Sequence, residues 1–240
     1  KYEEEIDEVR NNAMAYFIAQ NRAVTKEDYL LRAYALPPQF GSVAKAYAAP
    51  DWQIKTLLDD GIDATPNQLA INFYVAGYDS DGKFQNLNNA TKQNLQNYLS
   101  YYRVLTDAVN IKNAYIVNIG VDFEIIVLPN YNSNEVLLKC INVLKEYFKN
   151  DRMQINRPIT LTDIYIMLDG VAGVQSVVRP DSNGEGGLHI INKHSGNYSS
   201  NKYNIVGATR DGIVYPPKDP TIFEVKYPDT DIRGRVVSLF

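Results

Sequence analysis

The nine residues Asn21-Arg22-Ala23-Val24-Thr25-Lys26-Glu27-Asp28-Tyr29 return without a gap as Asn156-Arg157-Pro158-Ile159-Thr160-Leu161-Thr162-Asp163-Ile164, an offset of 135 (156 − 21). Each copy reads Asn, Arg, a small residue, an aliphatic residue, Thr, two spacers, Asp and an apolar residue. A Thr followed three positions later by an acid is a helix-start signature. The hydroxyl oxygen accepts a backbone N–H of the first turn, and the acid lies near the positive end of the helix dipole. Thr25 with Asp28, and Thr160 with Asp163, are therefore expected to be structural caps. A chain of 240 residues can build one large domain or two smaller ones; the duplication favours two related units.

Periodicity fills in the rest. Residues Glu3 to Gln20 carry acids at the start and Ile6, Val9, Ala13, Met14 and Phe17 at spacings of three and four, which predicts an amphipathic helix. After the first copy, Pro37-Pro38 should end its helix by about Leu36, and Gly41 to Ala49 reads as a strand. Leu69, Ile71, Phe73 and Val75 alternate with Ala70, Asn72, Tyr74 and Ala76, which predicts a strand with one buried face. Thr91 to Val109 reads as a helix with Leu95, Leu99, Tyr102 and Leu105 along one side.

The strongest strand signal is Tyr115 to Leu128, whose apolar residues fall on alternate positions from Tyr115 to Val127. Asn118, Asp122 and Glu124 fall on the other face, so an antiparallel strand covered on one side is expected. Ser133 is the expected cap of a helix over 133–149, with Val136, Cys140, Val143, Leu144, Tyr147 and Phe148 as its apolar stripe. In the second copy Ile164 and Leu168 should be core, and Gly170 and Gly173 should end the helix before a strand Val174 to Val178. Beyond Gly196, short extended segments are expected, with Asp211-Gly212 as a hairpin turn between Ile205-Val206 and Ile213-Val214-Tyr215. The fold class is thus α+β: two related helix-strand units around an antiparallel or mixed sheet, with a β-rich C-terminal extension. The expected division is a linking helix over 1–21, an α+β domain over 22–155, and the second copy with the β-rich region over 156–240.

Composition bounds the partners. A net charge of −4 and a pI near 5.3 argue against a surface that neutralises many phosphates, so nucleic acid is not expected. No apolar run approaches the roughly 18 to 20 residues of a membrane span, so no membrane partner is expected. The single cysteine, Cys140, cannot form an internal disulfide and sits in a helix stripe, where it reads as a small buried hydrophobe. With no basic-apolar leader and a start at Lys1, the sequence reads as a fragment of a longer chain. Eighteen tyrosines, against eight phenylalanines, point to half-buried surfaces between proteins.

No motif asks for chemistry. Asp79, Asp81 and Gly82 would open a calcium loop only with further spaced oxygens and a distal acid, but position 90 is Ala90; the segment reads as a turn. Asp181 to Gly187 is glycine-bearing, yet Leu188-His189-Ile190-Ile191 after it reads as a strand where a phosphate loop needs a helix. His189 and His194 have no nearby cysteine, so zinc is not expected. No catalytic residue, metal or cofactor is assigned.

The order of these motifs resembles the baseplate-J-like family. The residues that carry the likeness are Arg22-Ala23-Val24-Thr25 with Asp28-Tyr29, Gly41-Ser42-Val43-Ala44-Lys45-Ala46, the helix end Leu144-Lys145-Glu146-Tyr147-Phe148, and Ile159-Thr160 with Asp163-Ile164, followed by Gly170-Val171 and Gly173-Val174. Within the family the chain is similar to the C-terminal part of the wedge proteins of T-even-type contractile-tailed phages. Pro37-Pro38 is an insertion that the second copy lacks.

The resemblance implies a structural virion protein in the tail baseplate, assembled in the host cytoplasm. Its implied partners are itself, as a dimer or higher homo-oligomer, and other baseplate wedge proteins, with wedges joined into a ring around the hub. The apolar C-terminal tail could add to a neighbour's sheet or complete its own, so Tyr215, Phe223, Val236, Val237, Leu239 and Phe240 are the expected interface residues. Two alternatives come from other classes. One is a tail-associated cell-wall hydrolase using Asp122 and Glu124, and the other is a glycan-binding module using the tyrosines.

Overall fold

The computed structural model describes residues 23, 25–50, 70–103, 108–181 and 186–237. Two compact units emerge. One takes in the chain up to Val75 together with Leu87–Lys112; the other takes in Ala76–Asn86 together with the chain from Asn113 on. The expected linking helix over 1–21 lies outside the described residues. The boundary expected at 155 falls inside the second unit, because the long strand starting at Tyr115, before it, pairs with Val174–Val177 and Thr221–Glu224, beyond it.

In chain order the first segments are helix α1 (Lys26–Tyr34), a short 3-10 turn at Pro38–Phe40, strand β1 (Lys45–Pro50), strand β2 (Ala70–Tyr78), strand β3 (Phe84–Gln85), helix α2 (Asn89–Ser100) and strand β4 (Ala108–Asn113). In the first unit, β2 is flanked by β1 and β4. Tyr29 and Ala33 of α1, Phe73 and Val75 of β2, Leu95 and Leu99 of α2 and Val109 of β4 meet in one core, where the rings of Tyr29 and Phe73 lie 5.8 Å apart.

Two expectations change here. The helix expected over 91–109 ends at Ser100, and Ala108–Asn113 is a strand; residues 104–107, including Leu105, lie outside the described residues. Val109, on this strand, is buried in the first unit's core. Strand β2 is buried on both faces: Asn72, Tyr74 and Ala76 are as enclosed as Phe73 and Val75. The Asn110 amide reaches the Asn72 side chain at 3.2 Å, so the polar face is satisfied inside the sheet. Leu69 lies outside the described residues.

The second unit is built on strand β5 (Tyr115–Val127). Around it stand helix α3 (Ser133–Tyr147), β6 (Ile159–Thr160), helix α4 (Leu161–Asp169), β7 (Val174–Val177), β8 (His189–Lys193), helix α5 (Ile205–Ala208), β9 (Thr209–Arg210), β10 (Ile213–Val214), β11 (Thr221–Glu224), helix α6 (Pro228–Asp231) and β12 (Ile232–Val236). Strands β11 and β12 pair parallel with successive halves of β5, while β8 and β7 pair antiparallel with it. The sheet is therefore mixed, and the fold is α+β with a strand-rich C-terminal region.

Burial of β5 corrects the expected one-sided cover, since every residue from Ile116 to Val121 is buried. Alternation marks Val117, Ile119, Val121, Phe123 and Ile125 as one face. On the opposite face Asn118 is nearly inaccessible, and a polar strap covers it. Ser199 N–H donates to Asn118 Oδ1 at 2.7 Å, Ser199 Oγ and the Asn201 amide donate to the Ile116 carbonyl, and Asn118 Nδ2 donates to Glu224 Oε2 at 2.7 Å. The even face opens only at Asp122 and beyond.

Helix α3 begins at Ser133, but its cap is Asn132, whose side chain accepts from the Asn134 and Glu135 amides. Val136, Cys140 and Leu144 are buried as expected. Ile205–Val206 is one helical turn and not a strand, because Asn204 caps it by accepting from Gly207 N–H at 3.0 Å. The Asp211-Gly212 turn does form, with left-handed φ of 52° and 74°, and it joins β9 to β10.

Candidate protein-interaction surface

The two copies of the duplicated phrase lead into helices whose limits coincide at the same offset: α1 spans Lys26–Tyr34 and α4 spans Leu161–Asp169. Tyr29 and Ile164 are buried at equivalent places, as are Ala33 and Leu168. Each helix is followed by a strand that packs on it, β1 for α1 and β7 for α4, and each also packs on a second helix of its own unit, α2 and α3 respectively. The two helices are therefore buried and packed in corresponding ways.

Their first turns are held differently. Thr25 makes a reciprocal capping box: its hydroxyl accepts from Asp28 N–H at 3.2 Å, and the Asp28 carboxylate accepts from Thr25 N–H at 3.0 Å. Thr160 occupies the corresponding place, with Asp163 in the first turn, but its side chain makes no capping bond. Instead Thr160 belongs to β6, paired with Ile213, and the open Leu161 N–H donates to the Gly212 carbonyl at 2.8 Å. A hairpin backbone thus replaces the side-chain cap. Asn156 of the phrase has φ 64°; its N–H donates to the Thr221 carbonyl and its Oδ1 accepts from Thr221 N–H, which fixes the phrase against β11.

The other expected contact residues separate into surface and core. Tyr215 is 44% exposed. Phe223 is buried in β11, opposite Val117 on β5, so it serves the unit's own core and not a neighbour. Val236 is opposite Ile125, and Val237 N–H donates to the Ile125 carbonyl at 2.9 Å, so this part of the tail completes its own sheet. Leu239 and Phe240 lie outside the described residues.

Two outward side chains were not singled out from the sequence. Leu31 in α1 is 68% exposed and Ile166 in α4 is 65% exposed, and they occupy the same position of the repeat. Carrying the alignment two residues beyond Tyr29 and Ile164 would have revealed them. A second feature is a hollow of about 430 Å³ walled by Tyr203, Tyr215, Pro216 and Pro217, with Arg210 and Lys218 on its rim. The Tyr203 hydroxyl donates to the Tyr215 carbonyl at 2.6 Å, and its ring lies 6.2 Å from that of Phe223.

Asp122 and Glu124 line a different hollow, of about 310 Å³, with His189, Arg233 and Arg235. Cross-strand register puts Asp122 between His189 and Arg233 and sets Glu124 opposite Arg235, with which it forms an ion pair. The two acids lie two residues apart on one strand face, and the described residues that line the hollow include no carboxylate opposed to them of the kind a glycosidase pair needs. Cys140 is fully buried, and burial pushes its thiol up to about 11, far from a reactive thiolate. Among the described residues no group of three or more potential ligands could hold a metal ion.

No protein-family model matches the chain, and no curated protein matches it. Among solved structures the chain is similar to one described as "Cryo-EM structure of the anti-feeding prophage (AFP) baseplate, 6-fold symmetrised", with 15% identity and a TM-score of 0.49. The match covers 92% of this chain and 42% of that one, so the chain spans less than half the length of its structural neighbour.

Proposed function

We propose that this chain is a structural component of a contractile-tail baseplate that associates with copies of itself and with other wedge proteins. The ordered likeness of its motifs to the baseplate-J-like family supports the class of assembly. The observation that carries the reading is the outward aliphatic residue repeated at Leu31 and Ile166. One exposed aliphatic is ordinary on any protein surface. The same position left apolar twice, on helices whose other sides are buried alike, fits a building block with a retained contact face. Burying either side chain against a partner would contribute about 1–2 kcal/mol.

In this role the protein resides in the tail baseplate of a virion, and its neighbours are other proteins. The test is the mass of the full chain in solution across a concentration series, alone and mixed with purified wedge proteins. Concentration-dependent self-association and co-sedimentation with wedge proteins are expected. A chain that stays monomeric throughout and binds no wedge protein overturns the reading.

A further inference from the structure

Ile166 has acidic neighbours on both sides. Asp163 and Asp169, three residues before and three after, are exposed on the same helix face, so the outward stripe of α4 runs acid, aliphatic, acid. The hollow walled by Tyr203, Tyr215, Pro216 and Pro217 has the opposite order, with basic Arg210 and Lys218 bordering an aromatic and proline interior. Asp211 also lines it, which leaves the rim one positive charge in excess. Both features belong to the second unit and meet through β10, which pairs with β6 at the start of α4 and with β9 beside the hollow. The Asp211-Gly212 turn beside the hollow lies against Thr162, one helical turn before Ile166, so a protrusion and a recess of complementary charge and polarity adjoin.

We propose that this face is an isologous interface between two copies of the chain. Ile166 of each copy enters the tyrosine-proline hollow of the other, while Asp163 meets the cations Arg210 and Lys218; Asp169 adds negative charge nearby, with one oxygen held by Val177 N–H at 2.9 Å. This rests on the self-association proposed above and names the surface that performs it. A two-fold arrangement requires every contact to occur twice, and a patch that holds both halves of a complementary pair meets that requirement. Doubling also raises the buried area toward the roughly 1,200–2,000 Å² of a stable interface. The hollow is preformed: the Tyr203 hydroxyl bond and the fixed proline backbone leave few rotamers to freeze on docking. The Leu31 position lacks this pattern. Its neighbour at the Asp163 place is Asp28, whose carboxylate is engaged in the capping box, and at the Asp169 place stands Tyr34.

Sedimentation velocity on the full chain tests the interface, with circular dichroism to confirm folding of each variant. Ile166→Asp should abolish the dimer, whereas Leu138→Asp, at another exposed aliphatic of the second unit, should leave it unchanged. Asp163→Arg, Arg210→Glu and Lys218→Glu should each weaken association by about tenfold. Combining Asp163→Arg with one of the two rim reversals should restore it. A wild-type dimer that survives Ile166→Asp, or that neither charge swap restores, overturns the proposed surface and leaves self-association standing. A wild-type chain that never dimerises overturns both.

Discussion

Glu224 is almost wholly enclosed, and three donors converge on it: Phe84 N–H at 2.6 Å, the Asn118 amide at 2.7 Å and the Asn150 amide at 3.2 Å. Burial raises its pKa, and the three donors pull it down by less. Because the folded value lies above the unfolded one, its contribution to stability is greatest below the ordinary carboxylate range and declines as pH rises through the folded pKa. Glu224→Gln should therefore show its largest deficit relative to wild type at low pH, with the gap narrowing as pH rises, in urea titrations at a series of pH values. The caps give a second contrast. Thr25→Ala should cost about 1 kcal/mol by loss of the capping box. Thr160→Ala should cost less than about 0.5 kcal/mol, since the Gly212 carbonyl already satisfies the helix start. Equal losses in thermal unfolding would contradict that account.

Strand β12 shows how an element can look free in sequence and be committed in the fold. It lies parallel to β5 and close under α3; a Cβ added at Gly234 would come within 2.6 Å of Leu137 Cδ1 and would also strike the Phe123 ring. Removing the chain from Val236 onward deletes the Ile125 pairing and the Val237 hydrogen bond. It should lower the urea stability of the second unit by about 1–3 kcal/mol, beyond any effect on association. Unchanged stability would free the tail for a partner.

Helix starts were legible to within a residue or two because caps and apolar spacing act locally, as at Thr25 and across Val136, Cys140 and Leu144, although the caps proved to be Asn132 where Ser133 was expected and Asn88 ahead of the expected start at Thr91. The end of α2 was not, since neither Gly nor Pro follows Ser100. The second face of β5 was hidden for another reason: what covers Asn118 is Ser199, 81 residues away, through side-chain bonds that leave no periodic trace. The contact face was half legible, since the repeat aligns Leu31 with Ile166, whereas the hollow joins Tyr203 to residues 210–218 only through the turn at Asp211-Gly212.

At the scale of the whole molecule, the peptide backbone passes between the units three times: after Val75, after Asn86 and after Lys112. Strand β3 is thus part of the second unit although first-unit segments lie on both sides of it in sequence. A protease site placed at Asn86-Leu87 would divide the first unit's core, leaving Tyr29 and Phe73 on one piece and Leu95 and Leu99 on the other. Those side chains pack together, so the cut protein should run as one species on a native gel and as two bands after denaturation. Pieces that part without denaturant would disprove it. Breaking one bond in this polymer and dismantling the particle are separate events, and scissors alone accomplish only the first.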